Sequence, residues 1–475
     1  MTKPGKPASA GEASLPLPNR ELLERLGEIA HHLGTRSFLV GGPVRDLLLK
    51  ADEGRKQKSS NPADLPDIDI AVEDNSREYG AAVAKEFGGR FVFHSRFLTG
   101  TVSFPEPQAS ESLTRRPSPL SHIDITQTRA ETYERPAVLP AVRPASIVGD
   151  LGRRDFTINA MALEMTPGSF GTFIDPFDGR TDVAGRRLRV LHARSFIDDP
   201  TRIFRCIRFA TRLGFAIEPQ TRELTRSALE ERLPAFLTPE RVLYELRLIC
   251  AEPRVVSIIR ALIRERVLLA TWRWTPPAGF LPAFARLAAR QPSSLPSSSL
   301  LFIHWLSVLP VTDRFPIRKE ERDAAEAVAG FAKLRPRLGP GLKPGEVVRT
   351  LRSVPEPALE ILAVLEKKTV SRNIRAYLDV YRKIRIATTG ADLRGAGLTP
   401  GPAYRELLDE LLFARLDGRI RTVTEERALL RNLVDKLGIR AGLSNSSRRG
   451  RLPERNEAPV AEVIPVLPRA RKRRS

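Results

Sequence analysis

The sequence predicts an α+β N-terminal part followed by an all-α remainder. Over about the first 165 residues, short apolar or alternating segments are interleaved with helical patterns, which is typical of strands and helices packed around one core. After residue 198, nearly every segment has helical periodicity and is separated from the next by proline or glycine. A chain of 475 residues is long enough for about two to four packed units.

The first predicted elements lead into a pair of glycines. Apolar residues recur on one face over residues 19–33, which predicts a helix. The apolar segment 37–40 predicts a short buried strand that runs directly into Gly41 and Gly42. The pattern becomes helical again over residues 43–50, so the glycines form a turn between a strand and a helix.

The remaining elements of the N-terminal part are separated by polar segments. Residues 51–66 are polar and rich in turn formers, so we expect a loop, and the Ser/Pro-rich residues 105–121 predict a disordered insertion. Further strands are predicted at 67–72, 90–93, 100–104 and 122–126, and further helices at 76–87 and 155–163.

The charge balance indicates a polyanionic partner. The chain has 77 Lys and Arg against 56 Asp and Glu, a formal net charge of +21. Such an excess favours binding to nucleic acid or to an anionic membrane surface. The alternative is a basic surface that serves only solubility.

Cysteine usage and hydropathy point to a soluble cytoplasmic protein. Cys206 and Cys250 are far from each other, and neither has a Cys or His at zinc-ligand spacing. No disulfide framework is implied, which fits a reducing compartment. No apolar run reaches the roughly 18 residues of a membrane helix, and the N-terminus has no signal-peptide core.

Two carboxylates on one predicted strand are candidate metal ligands. Asp67 and Asp69 are two residues apart, so their side chains point to the same face of the strand. Neighbouring carboxylates repel each other, and Mg²⁺ between them removes that cost because it prefers one or two carboxylates plus phosphate oxygens. Asp124, on another predicted strand, is a candidate third catalytic carboxylate. The alternative is an exposed strand face without a metal.

The glycine turn is a candidate phosphate site. Gly41 and Gly42 allow the backbone to approach an anion closely, and the helix that follows presents free N–H groups at its start. Arg45, one turn into that helix, has the geometry to bind a phosphate through two hydrogen bonds. A plain tight turn, with Arg45 paired to Asp46, is the alternative.

These two motifs together resemble a known family. The segment 41–46 reads Gly-Gly-Pro-Val-Arg-Asp and the segment 67–70 reads Asp-Ile-Asp-Ile. The combination resembles the head of class II tRNA nucleotidyltransferases and bacterial poly(A) polymerases, a family of the polymerase-beta superfamily. The resemblance covers roughly residues 20–435 and implies a polymerase-beta-like head followed by a helical neck, body and tail.

A second motif strengthens the resemblance. Residues 153–162 read Arg-Arg-Asp-Phe-Thr-Ile-Asn-Ala-Met-Ala, which resembles the segment that contacts ribose and phosphates in this family. By that match Arg154 and Asp155 are candidate nucleotide-binding residues, together with Arg153 and Asn159. Paired arginines suit a polyphosphate, and a carboxylate accepts from a ribose hydroxyl. The alternative is a helix capped by Asp155 with arginines facing solvent.

A third motif lies at the start of a predicted helix. Asp199 before Pro200 is a good helix start. Arg202, Arg205 and Arg208 follow at intervals of three residues, which places them near one side of the helix. An arginine face of this kind is costly unless an anion lies against it.

This segment resembles the family's amino-acid template, Glu-Asp-x-x-Arg. The resemblance implies that Asp199 and Arg202 read the Watson–Crick edges of C and A, since a carboxylate accepts from an exocyclic amine and a guanidinium donates to ring acceptors. Arg205 and Arg208 then contact phosphate or the helical neck. Asp198 stands where the family has Glu, a shorter carboxylate.

The resemblance implies the addition of C and A to the 3′ end of tRNA. CTP and ATP are the implied substrates, pyrophosphate is released, and Asp67 and Asp69 hold two Mg²⁺ ions. No membrane and no protein partner are implied. A-adding, CC-adding and poly(A)-adding enzymes share the motifs, and the long connection at residues 128–151 argues against a CC-only enzyme. The non-enzymatic alternative is an RNA-binding protein with an inactive head.

Five segments follow from these observations. They are a flexible leader (1–18), a catalytic nucleotidyltransferase head (19–165), a nucleotide-selecting and RNA-binding neck (166–240), a tRNA-binding helical body and tail (241–443), and a basic disordered tail (444–475).

Overall fold

The structure, a computed structural model of the chain, describes residues 20–54, 68–104, 122–290, 295–309 and 315–436. These residues form two compact units, one that ends at Ala325 and one that begins at Glu326. The predicted leader, the insertion at 105–121, the tail at 444–475 and Asp67 lie outside the described residues. The segment boundaries proposed from the sequence stay predictions.

A seven-stranded sheet forms the centre of the head in the first unit. The strands of this unit are β1 (Ser37–Val40), β2 (Ile68–Val72), β3 (Arg90–His94), β4 (Thr99–Ser103), β5 (His122–Gln127), β6 (Arg129–Thr132), β7 (Ala141–Pro144), β8 (Ala162–Glu164), β9 (Phe173–Ile174), β10 (Arg187–Leu188) and β11 (Ala216–Ile217). The sheet has the order β3-β4-β5-β2-β1-β8-β9, in which β2 and β5 are parallel and the other neighbours antiparallel. β6 and β7 form a separate hairpin, and β10 pairs with β11 in parallel.

Helices surround this sheet and form nearly all of the rest of the described chain. In the first unit they are α1 (Arg20–His32), α2 (Gly42–Gly54), α3 (Ser76–Phe87), α4 (Ile147–Gly152), α5 (Gly179–Ala184), α6 (Ser195–Asp198), α7 (Thr201–Leu213), α8 (Pro219–Glu230), α9 (Pro239–Ala251), α10 (Val255–Arg264), α11 (Val267–Trp272), α12 (Phe280–Ala288) and α13 (Ser297–Val308). α14 (Lys319–Gly330) spans the boundary between the units.

The second unit is helical throughout its described residues. Its helices are α15 (Pro344–Leu351), α16 (Glu356–Leu365), α17 (Lys368–Asp379), α18 (Gly390–Gly395), α19 (Pro402–Leu416) and α20 (Val423–Lys436). One of its cores contains Leu393, Leu398, Leu407, Leu411 and Leu430. No helix among the described residues is long and apolar enough to cross a membrane.

The predicted division into an α+β head and a helical remainder is confirmed. The predicted helices at 19–33 and 76–87 correspond to α1 and α3, and the strands at 37–40, 90–93, 100–104 and 122–126 correspond to β1, β3, β4 and β5. α2 continues to Gly54, so the loop predicted from residue 51 cannot begin before residue 55. The β10–β11 ladder is a small exception to the all-α expectation.

The helix predicted over residues 155–163 is wrong. The chain there makes one 3-10 turn, Thr157–Asn159, and then forms β8, in which Leu163 pairs with Leu39 of β1. An amphipathic helix exposes one face to water, whereas residues 155–163 are all less than a tenth exposed. Buried backbone groups need partners: β1 and β9 supply them to Ala162 and Leu163, and the carbonyl of Arg189 accepts from the backbone N–H of Thr157.

Candidate active site

The glycine turn brings three parts of the head together. Gly41 follows the buried strand β1 and has φ +74°, in the left-handed region that favours glycine. A Cβ at this position would lie 2.9 Å from Nη1 of Arg154 and 3.6 Å from Oδ2 of Asp69. Glycine is therefore required both by the backbone and by the side chains against it, and α2 begins directly afterwards at Gly42.

Two carboxylates meet on neighbouring strands because of the strand register. Asp69 of β2 pairs with Asp124 of the parallel strand β5, and adjacent strands are about 4.8 Å apart. The isoleucines on either side of each aspartate are buried, whereas both aspartates are partly exposed, so the two carboxylates share the open face of the sheet. Thr101 Oγ1 donates to Asp124 Oδ1 at 2.6 Å, which orients that carboxylate.

These carboxylates have the right chemistry for a hard divalent cation. Their oxygens are the ligands that Mg²⁺ prefers, and an in-register pair is costly without a counter-charge. Within the part of the chain that the structure describes, no group of three or more His, Cys, Asp and Glu side chains is placed to hold a metal. Asp67, the second residue of the predicted pair, lies outside those residues.

Arg45 is buried rather than open to solvent. Its Nη1 donates to Asn159 Oδ1 at 2.7 Å, and its Nε donates to Asp46 Oδ1 at 2.8 Å. The side chain is 4% exposed. The pairing with Asp46, which was the alternative to phosphate binding, is thus present, and Arg45 additionally ties α2 to the 3-10 turn that follows Asp155. Its role in binding phosphate stays a prediction.

Asp155 joins that turn to the arginine helix. Its Oδ1 accepts from the Asn159 side chain at 3.0 Å, and its Oδ2 accepts from Arg205 Nη2 at 2.6 Å. Burial alone would raise the pKa of Asp155, but Arg205 and Asn159 lower it to about 2. Burial opposes the charge of Arg205 in the same way, and Asp155 raises the pKa of that guanidinium. Both groups remain ionised at neutral pH.

Arg153 and Arg154 are held by one buried carboxylate. Asp150 of α4 accepts from Arg153 Nη2 at 2.7 Å and from Arg154 Nη2 at 2.9 Å. Burial would raise the pKa of Asp150, yet Arg154 and Arg153 bring it below its usual value. Arg153 Nη1 also pairs with Glu131 of β6 at 3.0 Å. Asp150 therefore fixes Arg154 with Nη1 beside Gly41.

The two predicted base-reading residues lie at the start of α7. Asp199 Oδ1 accepts from the Thr201 backbone N–H at 2.9 Å, and α7 begins at Thr201 with Pro200 in the N-cap position, one residue later than predicted. The same oxygen accepts from Arg241 Nη2 of α9 at 2.6 Å. Arg202 is buried, and its guanidinium donates to Ser195 Oγ at 2.8 Å and to the backbone carbonyl of Arg153 at 2.6 Å.

Arg208 packs between helices. It is buried, its Nη1 lies 3.0 Å from Glu252 Oε1, and its Nη2 lies 3.7 Å from Glu245 Oε2. Burial raises the pKa of Glu245, although Arg205 and Arg208 oppose the shift. Arg208 was expected to contact phosphate or the helical neck; in the structure its partners are the carboxylates of Glu245 and Glu252.

Several partners of these residues were not identified from the sequence, among them Glu131, Asp150, Ser195 and Arg241. Asp150 had a readable signal, because a carboxylate three and four residues before two arginines reaches both on one helix face. The other three are brought to the site only by the tertiary fold.

Comparisons with known proteins indicate the family. A family model described as the Poly A polymerase head domain matches residues 37–189. The A-adding tRNA nucleotidyltransferase of Halalkalibacterium halodurans is 32% identical over 399 residues, which cover 82% of this chain and 86% of that protein. The CC-adding tRNA nucleotidyltransferase of Deinococcus radiodurans is 29% identical, with 86% and 92% covered.

Solved structures give the same result for the fold. A CCA-adding enzyme in an apo form superposes with a TM-score of 0.67 at 28% identity, covering 87% of this chain and 95% of that one. The Thermotoga maritima CCA-adding enzyme complexed with tRNA superposes with a TM-score of 0.61 at 26% identity, covering 88% and 95%.

Proposed function

This chain belongs to the family of tRNA nucleotidyltransferases, and on that premise we propose that it transfers AMP from ATP to the 3′ end of tRNA. The observation that carries the proposal is the meeting of Asp69 and Arg154 at Gly41, because it sets a carboxylate and a guanidinium against a turn suited to phosphate. The A-adding relatives, at 31–34% identity, favour adenine as the base.

Complete CCA addition, from CTP and ATP, is the second candidate. The enzyme of Lacticaseibacillus paracasei, a CCA-adding enzyme, is 28% identical over 80% of this chain, and solved structures of CCA-adding enzymes with ATP and with CTP superpose at a TM-score of 0.64. Both candidates share the final AMP transfer, so they differ only in whether CMP is added first.

In the proposed reaction the terminal 3′-hydroxyl oxygen of tRNA attacks the α-phosphorus of the nucleotide. A phosphodiester bond forms, the bond from the α-phosphorus to the bridging oxygen breaks, and pyrophosphate leaves with the hydroxyl proton released. Arg154 and the backbone N–H groups at the start of α2, directly after Gly41, bind the phosphates. This arrangement orients the α-phosphorus toward Asp69 and Asp124.

The family generally uses divalent metal ions, and we propose Mg²⁺, held by Asp69 and Asp124 together with the predicted ligand Asp67. When bound, the ion lowers the pKa of the attacking hydroxyl and offsets negative charge on the phosphates. Thr101 keeps the Asp124 carboxylate oriented for this role.

Asp199 and Arg202 are proposed to read the base. The described bonds to Asp199 all end on Oδ1, and none of the described residues donates to Oδ2, which can accept from an exocyclic amine. Arg202 uses two of its five N–H donors on Ser195 and Arg153. The remaining donors can reach ring acceptors of the base.

Product sizing tests the proposal. The purified protein is incubated with Mg²⁺ and tRNA that lacks CCA, ends in the first C, or ends in CC, with ATP and CTP separately and together. One A on the CC end alone supports A addition, two Cs and an A support CCA addition, and long A tails indicate poly(A) synthesis. No incorporation on any substrate, with tRNA still bound in a gel shift, would support an RNA-binding protein with an inactive head.

A further inference from the structure

Arg241 binds two parts of the site at once. Its Nη2 donates to Asp199 Oδ1 at 2.6 Å, and its Nη1 donates to the backbone carbonyl of Ala137 at 2.8 Å. Ala137 lies in the turn of the β6–β7 hairpin and has φ +64°, a conformation that alanine rarely adopts. The planar guanidinium thus fixes the distance between a strained turn and the proposed base-reading carboxylate.

The other end of the hairpin is tied to the second base-reading residue. Glu131 of β6 pairs with Arg153, whose backbone carbonyl accepts from Arg202 Nη2 at 2.6 Å. The hairpin is therefore linked through its turn to Asp199 and through its first strand to Arg202. Among the described residues no comparable link joins the hairpin to Arg208, which pairs with Glu245 of α9 and with Glu252 directly after that helix.

We propose that Arg241 is a positioning residue for base selection, which holds the Asp199 carboxylate and the hairpin turn in one fixed arrangement. The inference rests on the proposed function, in which Asp199 reads the base. A carboxylate discriminates between bases only when its orientation is fixed, because a mobile one accepts from an amine in several positions. Thr201 already holds Oδ1 of Asp199 through its backbone N–H and its hydroxyl, and Arg241 adds the contact that joins this carboxylate to the hairpin turn, without touching the nucleotide.

The test compares nucleotide preference in three variants. Arg241→Ala removes both contacts. Arg241→Lys keeps the charge but replaces the planar guanidinium with a single ammonium. It is therefore expected to keep the ion pair with Asp199 and to lose the hydrogen bond to the Ala137 carbonyl. Arg247→Ala is the matched control, because Arg247 lies on the same helix and pairs with Glu321 at 2.7 Å, away from Asp199. Each is assayed on tRNA ending in CC with ATP, CTP, GTP and UTP.

Arg241→Ala is expected to reduce the kcat/KM preference for ATP over the best competing nucleotide about tenfold, the cost of one charged hydrogen bond. The KM for ATP rises while the Kd for tRNA stays within about twofold, since Arg241 is assigned no RNA contact. Arg241→Lys gives an intermediate preference, and Arg247→Ala keeps that of the wild type.

An unchanged preference in Arg241→Ala, or an equal loss in Arg247→Ala, would overturn the inference. If Arg241→Ala does not fold, the Arg241→Lys variant is used as the test. A wild-type nucleotide preference in Arg241→Lys would contradict the proposal that both contacts, to Asp199 and to Ala137, are needed. If the wild type adds no nucleotide, the proposed function fails. The same ratios are then read from Kd values for the four nucleotides by calorimetry, so Arg241 is still tested.

Discussion

Asp69 and Asp124 are brought together by backbone register, whereas the arginines at the other side of the site are brought together by side chains. Each aspartate has its place because β2 and β5 pair in parallel. Arg154, in contrast, depends on Asp150, and Arg205 depends on Asp155. Loss of an aspartate on the strands should therefore remove chemistry and spare the fold, and loss of an arginine's partner should damage both.

The largest expected effect tests the strand side. Asp69→Ala should lower the rate of nucleotide addition by about a thousandfold or more, because it removes a proposed metal ligand at the reacting phosphate. The tRNA Kd by gel shift and the melting temperature should stay near wild type. A large drop in melting temperature would show that Asp69 is structural.

Asp155→Ala tests the arginine side. It leaves Arg205, whose side chain is 32% exposed, without its carboxylate, so the loss of unfolding free energy should be about 1–3 kcal/mol, less than for a fully buried pair. Urea unfolding at pH 7 measures the loss. A cost below about 1 kcal/mol would mean that Arg205 finds another anion and that the side-chain support is replaceable.

The pH dependence of stability is a second test of the Asp155–Arg205 pair. The pKa of Asp155 is about 2 in the folded chain, below the ordinary value near 3.9. A lowered carboxylate pKa means that the unfolded state binds more protons, so the stabilisation is present above about pH 4 and is lost as the pH falls toward 2. In Asp155→Asn the unfolding free energy, measured in urea at pH 5, 4 and 3, should fall less with decreasing pH than in the wild type. An equally steep fall would mean that other groups cause the loss of stability in acid.

Gly41→Ala tests the turn at which Asp69 of the strands meets Arg154. The added Cβ lies 2.9 Å from Arg154 Nη1 and sits on a left-handed backbone, a strain of about 1–3 kcal/mol. We expect a KM for ATP raised about tenfold with a smaller change in tRNA binding. Gly34→Ala, also at positive φ but with nothing within 4 Å of its Cβ, is the control for backbone strain alone. Equal effects of both variants on KM would remove the argument for crowding.

The smallest expected effect is at an exposed pair. Arg226 and Glu223 on α8 lie 2.6 Å apart, with side chains 66% and 64% exposed. Solvent and salt screen such an exposed pair, so Arg226→Ala should shift the unfolding midpoint little and leave nucleotide addition unchanged. A loss of activity would place an unrecognised contact on this helix.

The sequence predicted what depends on short-range patterns. Strands β1 to β5 follow from periodicity and the start of α7 from Asp199 before Pro200, so they were predicted, whereas the β6–β7 hairpin was not. The helix expected at 155–163 failed because its residues are buried on every side, and their tertiary partners β1 and β9 override local propensity. Arg241 could not be predicted, because only the packing of α9 brings it to Asp199.

The two-residue ladder of β10 and β11 has a mechanical consequence for α7. Leu188 pairs with Ile217, so the chain between them is a closed loop that carries α7 inside it. The backbone N–H of Thr157 also donates to the carbonyl of Arg189, which attaches that loop to the head. A tilt of α7 during a reaction cycle must therefore pivot about this anchor, and hydrogen exchange at 187–190 and 216–218 would report whether the anchor opens.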